Sequence, residues 1–157
     1  MIRSFRVEDA PYIVSSHHEI YANEYGYDES FRRFVAQSVE QFMESWDHNK
    51  ENMWIVEIDQ QPKGSIGITK VNEQTAQLRL FLVEPSLRGT GMGRQLVQTV
   101  IDFCREKQYE TIQLWTNRDL TAARALYEKF GFAIQETRTQ VLSGQELVEE
   151  RWELSLV

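Results

Sequence analysis

A single cysteine in 157 residues leaves nothing for an intramolecular disulfide to join, and too few sulfurs for a cysteine-based zinc site. A reducing, cytoplasmic setting suits that count. Histidine is scarce too, with three residues, and the adjacent His17 and His18 point about 100° apart on a helix, a poor metal pair. No metal is therefore expected. Basic residues are outnumbered, 17 Lys and Arg against 24 Asp and Glu, for a net charge of −7. A general nucleic-acid binder needs a basic face to displace counterions, so that class is excluded. The acidic balance is compatible with a cationic amine as partner, or it simply keeps the chain soluble. No apolar run approaches a membrane span. The opening MIRSFRVEDA lacks the apolar core of a signal peptide. With no repeat, low-complexity tract or linker, one domain over residues 1–157 is expected.

The patterning gives an element order. Residues 2–7 alternate weakly and predict a short strand. Asp9 is a candidate N-cap and Pro11 sits in the first turn of a helix that Gly26 ends. Phe31, Phe34, Val35, Val39, Phe42, Met43 and Trp46 keep helical spacing over 30–46. Strands are predicted at 53–58 and 64–71, around a turn at 59–62. QLRLFLV at 77–83 is the next strand, and Pro85 marks its end. A helix from about Gly91 to Lys107 follows, with Met92, Leu96, Val97, Val100, Ile101 and Cys104 on one stripe. A strand at 111–116, a helix opened by Asp119 or Thr121 and stopped at Gly131, and a hairpin across Ser143-Gly144 complete the chain. The order is βααβββαβαββ, an α/β domain with a mixed sheet covered by helices.

The chemistry gathers at Arg88-Gly89-Thr90-Gly91-Met92-Gly93, between a strand and a helix. The first N–H groups of a helix have no internal partner, and the macrodipole places partial positive charge there. Glycines let the backbone approach a phosphate closely, and Arg88 and Arg94 add cationic donors. The Walker A pattern fails, because Gly93 is followed by Arg94-Gln95. The dinucleotide fingerprint fails, because Arg94 stands where its last glycine belongs. A third pattern, Arg/Gln-x-x-Gly-x-Gly/Ala, is met by Arg88, Gly91 and Gly93. Alone, six such residues are equally a glycine-rich connection.

Context adds to them. The segment from Leu82 through Arg88 to Gly93 resembles the core signature of the GNAT superfamily of N-acetyltransferases. So does the later segment from Ala123 through Tyr127 to Phe132, in the superfamily's order and with a strand between. The element order is similar along nearly the whole chain. His18-Glu19-Ile20-Tyr21, Glu24-Tyr25-Gly26-Tyr27-Asp28, Leu114-Trp115-Thr116-Asn117 and Arg151-Trp152-Glu153-Leu154 resemble the acetyltransferase half of bacterial proteins that fuse a MarR-type winged helix to a GNAT domain. No DNA-binding role is carried over, because the winged helix is missing from this sequence.

The resemblance implies a single GNAT-like fold with a mixed, mostly antiparallel twisted sheet. It implies acetyl-CoA as cosubstrate and an amine, small-molecule or protein, as acceptor, attacking the thioester directly in a ternary complex. Arg88 to Arg94 would hold the pyrophosphate, and Leu82 and Val83 the pantetheine arm beside a bulge that splays the strand. A backbone N–H near Val83 would polarise the acetyl carbonyl. Tyr127 matches the tyrosine that protonates the departing thiolate. The base is open: Gln77 stands where many relatives carry glutamate, leaving Glu84, a water chain, or the first helix as candidates. On that helix His17, Tyr21 and Glu24 share a face, and with Tyr25 they border the expected acceptor pocket. Leu120 stands where many relatives place an asparagine, so Asn117 is the candidate for holding pantetheine. Cys104 belongs to the core, since direct transfer needs no thiol nucleophile. Gln77 also admits a second possibility, an acetyl-CoA sensor or partner-binding module without turnover. An exposed terminal hairpin makes a homodimer plausible.

Overall fold

Seven strands pair into one sheet, and the computed structural model describes all of residues 1–157. The elements are β1 (Ile2–Ser4), α1 (Ala10–Tyr25), α2 (Glu29–Ser45), β2 (Asn52–Ile58), β3 (Gln61–Lys70), β4 (Thr75–Val83), α3 (Met92–Glu106), β5 (Thr111–Asn117), α4 (Thr121–Lys129), β6 (Ala133–Leu142) and β7 (Gln145–Ser155). The sheet order is β1-β2-β3-β4-β5-β7-β6. Every neighbour pair is antiparallel except β4 and β5. This is the predicted α/β order, and the mixed, mostly antiparallel sheet is the one expected.

Two apolar layers hold the helices to the sheet. Leu96, Val97, Val100, Ile101 and Cys104 of α3 are buried against Val56, Ile66, Ile68, Ala76 and Leu78. On the other face, Ile13 of α1 and Val35, Val39 and Phe42 of α2 pack on Met53 and Ile55. Each such side chain contributes roughly 1.5–3 kcal/mol on burial. Burial also pushes the Cys104 thiol up to about 12, so it is neutral and inert.

Boundaries differ from the sequence reading in three places. Strand β1 stops at Ser4, because a 3-10 turn over Val7–Asp9 intervenes. Asp9 does not cap α1; its carboxylate accepts the Arg6 N–H and pairs with Arg3. The β2–β3 turn is Asp59-Gln60 alone, both with positive φ as a two-residue hairpin of this twist demands, and Pro62 lies inside β3.

The irregularity that shapes the site is in β4. Its parallel ladder with β5 covers only Thr75, Ala76 and Gln77. Its register with β3 shifts between Ser65 and Gly67, and Leu80 there takes a φ of 53°. The buried Ser65 hydroxyl donates to the Leu80 carbonyl at 2.7 Å, satisfying a group the bulge frees from the ladder. The bulge shifts the strand's phase. Leu78 packs toward α3, Leu80 toward α1 and α2, and Phe81 toward α3 again. Beyond Gln77 the two strands therefore part, and a gap opens through the sheet.

Candidate active site

Two cavities meet at that gap. A cleft of about 310 Å³ lies between the end of α1, the end of β4 and the glycine loop. A chamber of about 520 Å³ lies between α1, α2, the middle of β4 and the β6–β7 hairpin. Tyr21, Phe81, Leu120 and Ala123 line both, so the two adjoin across these side chains.

The cleft carries the anion-binding features predicted for it. Gly89 and Gly91 have φ of 80° and 85°, and Gly91 is the N-cap of α3. Such backbone favours glycine and turns successive N–H groups inward. None of the N–H groups of Gly89, Gly91, Met92, Gly93 or Arg94 is bonded within the protein backbone. A ring of free donors at a helix N-terminus suits a pyrophosphate. Leu82 and Val83 line the cleft on the stretch of β4 that β5 has left. That exposed edge suits an amide-bearing arm such as pantetheine, so the residues present fit acetyl-CoA. Thr90 folds back on the Leu87 carbonyl, and neither it nor the exposed Arg94 lines the cleft.

Arg88 lines the cleft already paired. Its guanidinium donates to both oxygens of Glu24 at 2.6 and 2.5 Å. The four first-helix candidates accordingly separate. His17 and Tyr21 line the chamber, whereas Glu24 and Tyr25 line the cleft and not the chamber. Seven residues along a helix advance it about 10 Å, which carries a shared face from one cavity to the next.

Tyr127 of α4 lines the chamber with its ring packed on Phe81, Phe132 and Trp152. Burial, and then the neighbouring Tyr21, raise its phenol well above the ordinary range, so it is protonated at neutral pH. His17 is buried, and its Nδ1 donates to the Ile13 carbonyl at 2.7 Å. That bond fixes the tautomer and leaves Nε2 with a lone pair and no partner. Desolvation pushes its pKa down to about 4, so the ring is neutral.

Two predicted residues are otherwise engaged. Glu84 accepts the Tyr12 hydroxyl at 2.5 Å, lies 3.9 Å from Lys63 and lines neither cavity. The bulge alters the strand phase and the carboxylate falls outside. Asn117 lines the chamber, not the cleft; its amide donates to the Tyr27 hydroxyl at 2.7 Å and its oxygen accepts the Asp119 N–H. Gln77 lines the chamber too, accepting a bond from Gln113.

Among the charged chamber residues, the sequence reading missed Arg79 and Arg138; Glu149, with Glu146 and Glu150, it had read only as an acid near the last hairpin that favours a cation or is simply solvated. Arg79 interrupts the apolar run Leu78 to Val83, which was the available signal. Arg138 donates to Glu149 at 2.8 Å and stacks over the Trp115 ring at 4.1 Å. Nothing in the sequence pairs those two.

Known proteins resemble this chain in sequence and in fold. A profile of the acetyltransferase (GNAT) family matches residues 14–132. Human N-acetyltransferase 8B is 32% identical over 84 residues, which take in 50% of this chain and 37% of that protein. The chain thus spans well under half of that relative's length. An acetyltransferase from Streptococcus agalactiae superposes with a TM-score of 0.83 at 18% identity, covering 99% of this chain and 98% of that one. A Salmonella typhimurium protein solved with its cofactor acetyl-CoA superposes at 0.78 and 17% identity, covering 100% and 94%. The chain belongs to the acetyltransferase (GNAT) family.

Proposed function

We propose that this protein transfers the acetyl group of acetyl-CoA to an amine, by direct attack in a ternary complex. The observation that carries this reading is that cleft and chamber adjoin where β4 and β5 part, with Tyr127 on the chamber wall. Acetyl-CoA supplies an activated acyl thioester. The free N–H groups around Gly91 would hold its pyrophosphate, and the Leu82–Val83 edge its pantetheine arm. Arg88 exchanges Glu24 for phosphate oxygens. An ion pair with Arg88 55% exposed is worth about 1 kcal/mol or less, so the exchange is cheap.

In the chamber a C–N bond forms as the C–S bond breaks. The attacking nitrogen gives up one proton and the departing thiolate takes one from the Tyr127 hydroxyl; the nitrogen's proton returns to the phenolate, so the net transfer is from amine to sulfur. With reference pKa values of about 10 for a phenol and about 8.5 for a thiol, this donation is mildly uphill, and it completes because the nitrogen of the forming amide reprotonates the phenolate. The neutral His17 accepts one amine N–H at Nε2 and orients the nitrogen lone pair. Protons from the incoming ammonium leave before binding, since burial favours the neutral amine. Neither Gln77 nor Glu84 is needed as a base.

The segments resembling MarR–GNAT fusion proteins support a place nearest that branch, and one free, buried thiol suits a reducing, cytoplasmic setting. The test is release of free CoA, followed with a thiol-reactive dye, across a panel of amines. Turnover with any amine supports transfer. Calorimetric binding of acetyl-CoA with no release for any amine would replace this reading with a sensor module.

A further inference from the structure

The charge in the chamber does not balance. Four ionisable side chains other than tyrosines line it: His17, Arg79, Arg138 and Glu149. Arg138 and Glu149 cancel each other across a 2.8 Å hydrogen bond, and His17 is neutral. Arg79 is left. It sits on β4 opposite Gly67, immediately before the bulge residue Leu80. Its guanidinium donates to the Ser38 hydroxyl of α2 at 2.8 Å and touches no carboxylate. Burial alone governs its ionisation, and no acidic group is near enough to contribute. A guanidinium nonetheless stays charged at any working pH. A half-buried cation without a counter-ion is costly, and most of its five N–H donors remain free.

Resting on the acetyltransferase reading above, we propose that the acceptor amine carries a carboxylate, and that Arg79 receives it. One uncompensated positive charge matches a monoanion; a phosphomonoester, near two charges, would overshoot. The planar fork suits a carboxylate bidentately. Position agrees with charge. Arg79 reaches α2 across the α1–α2 face, while Phe81, past the bulge, meets Tyr127 on the other side of the gap. An acceptor held by its carboxylate on Arg79 therefore extends toward the gap, where its amine reacts.

The experiment measures kcat/KM for a series of α-amino acids, each beside its decarboxylated amine and its carboxamide, with phosphoethanolamine as a phosphate arm. The carboxylates are expected to exceed their partners by tenfold or more. In R79Q that preference should fall by about 10- to 150-fold, the range for a lost hydrogen bond to a charged group. R79K should restore part of it, since an ammonium keeps the charge and loses the fork. Calorimetric titration with acetyl-CoA shows that each variant is folded with its cofactor site intact. A preference for carboxyl-free amines or for phosphoethanolamine, or an R79Q protein as selective as the parent, would overturn the inference and leave the transferase standing. Absence of turnover for every amine, with acetyl-CoA still bound, sinks the transferase reading itself.

Discussion

Replacing Tyr127 by Phe separates a catalytic hydroxyl from a core aromatic ring. The ring is held by Phe81, Phe132 and Trp152, with centroids 5.7 to 6.2 Å away, and Phe keeps all three contacts. The hydroxyl receives no hydrogen bond that perturbs it within the protein. Removing an unpartnered hydroxyl is close to neutral, so stability should hold within about 1 kcal/mol. For a domain of this size that is a shift of about 2–4 °C in Tm. The chemistry should respond differently. A positioned general acid contributes roughly 10²- to 10⁴-fold, or about 3–5 kcal/mol of barrier. Thermal unfolding, calorimetry with acetyl-CoA and steady-state CoA release on one Y127F preparation give the three readouts. A fall in kcat of a hundredfold or more, with cofactor affinity and Tm unchanged, is expected. A kcat within threefold of the parent would refute the assignment, because the thiolate would then be taking its proton elsewhere.

Other perturbations test the remaining parts. His17 has a folded pKa depressed to about 4 against 6.5 unfolded, so the unfolded chain binds the extra proton between those values. Its contribution is intact above pH 6.5 and lost as pH falls through 4, about 3 kcal/mol in all; urea midpoints should fall less steeply with acid in H17Q than in the parent. Glu24→Gln frees Arg88 from an exposed pair, so acetyl-CoA affinity should rise by no more than about fivefold; a tenfold loss by calorimetry would mean that Glu24 builds the loop. Gly91→Ala meets no atom within 4 Å yet sits at a φ of 85°, so it should cost about 1–2 kcal/mol in urea unfolding and weaken acetyl-CoA binding as the N–H groups turn away.

Period and punctuation made the fold legible. The stripe of α3, glycine at Gly26 and Gly131, and the Ser143-Gly144 turn each specify local backbone that tertiary contacts did not override. The phosphate loop was legible for the same reason, since positive φ at Gly89 and Gly91 is written in the residue type. The bulge was not. Leu80 holds a left-handed conformation with no glycine or proline to announce it, because a serine fifteen residues away ties its carbonyl. Two residues near the bulge were misjudged. Glu84 falls outside both cavities, and Arg79 escaped notice on a strand that reads as core. Long-range pairs were equally hidden. Glu24 with Arg88 and Asn117 with Tyr27 are joined by helix ends meeting the sheet, which no spacing along the chain encodes.

The charge argument shows how far composition reaches. A net charge of −7 is compatible with a cationic acceptor or with solubility alone. Exposed acids act through water and salt, and their field decays over about 8 Å at physiological ionic strength. A half-enclosed chamber is governed instead by the few groups on its walls, where lower dielectric makes one charge count for more. There the sum is set by Arg79, because Arg138 and Glu149 spend their charges on each other. The acidic surface and the cationic chamber are compatible, since they operate at different ranges. Net charge governs solubility and distant encounter; the acceptor is selected by one strand position, and its exposure to the chamber depends on a bulge one residue further on.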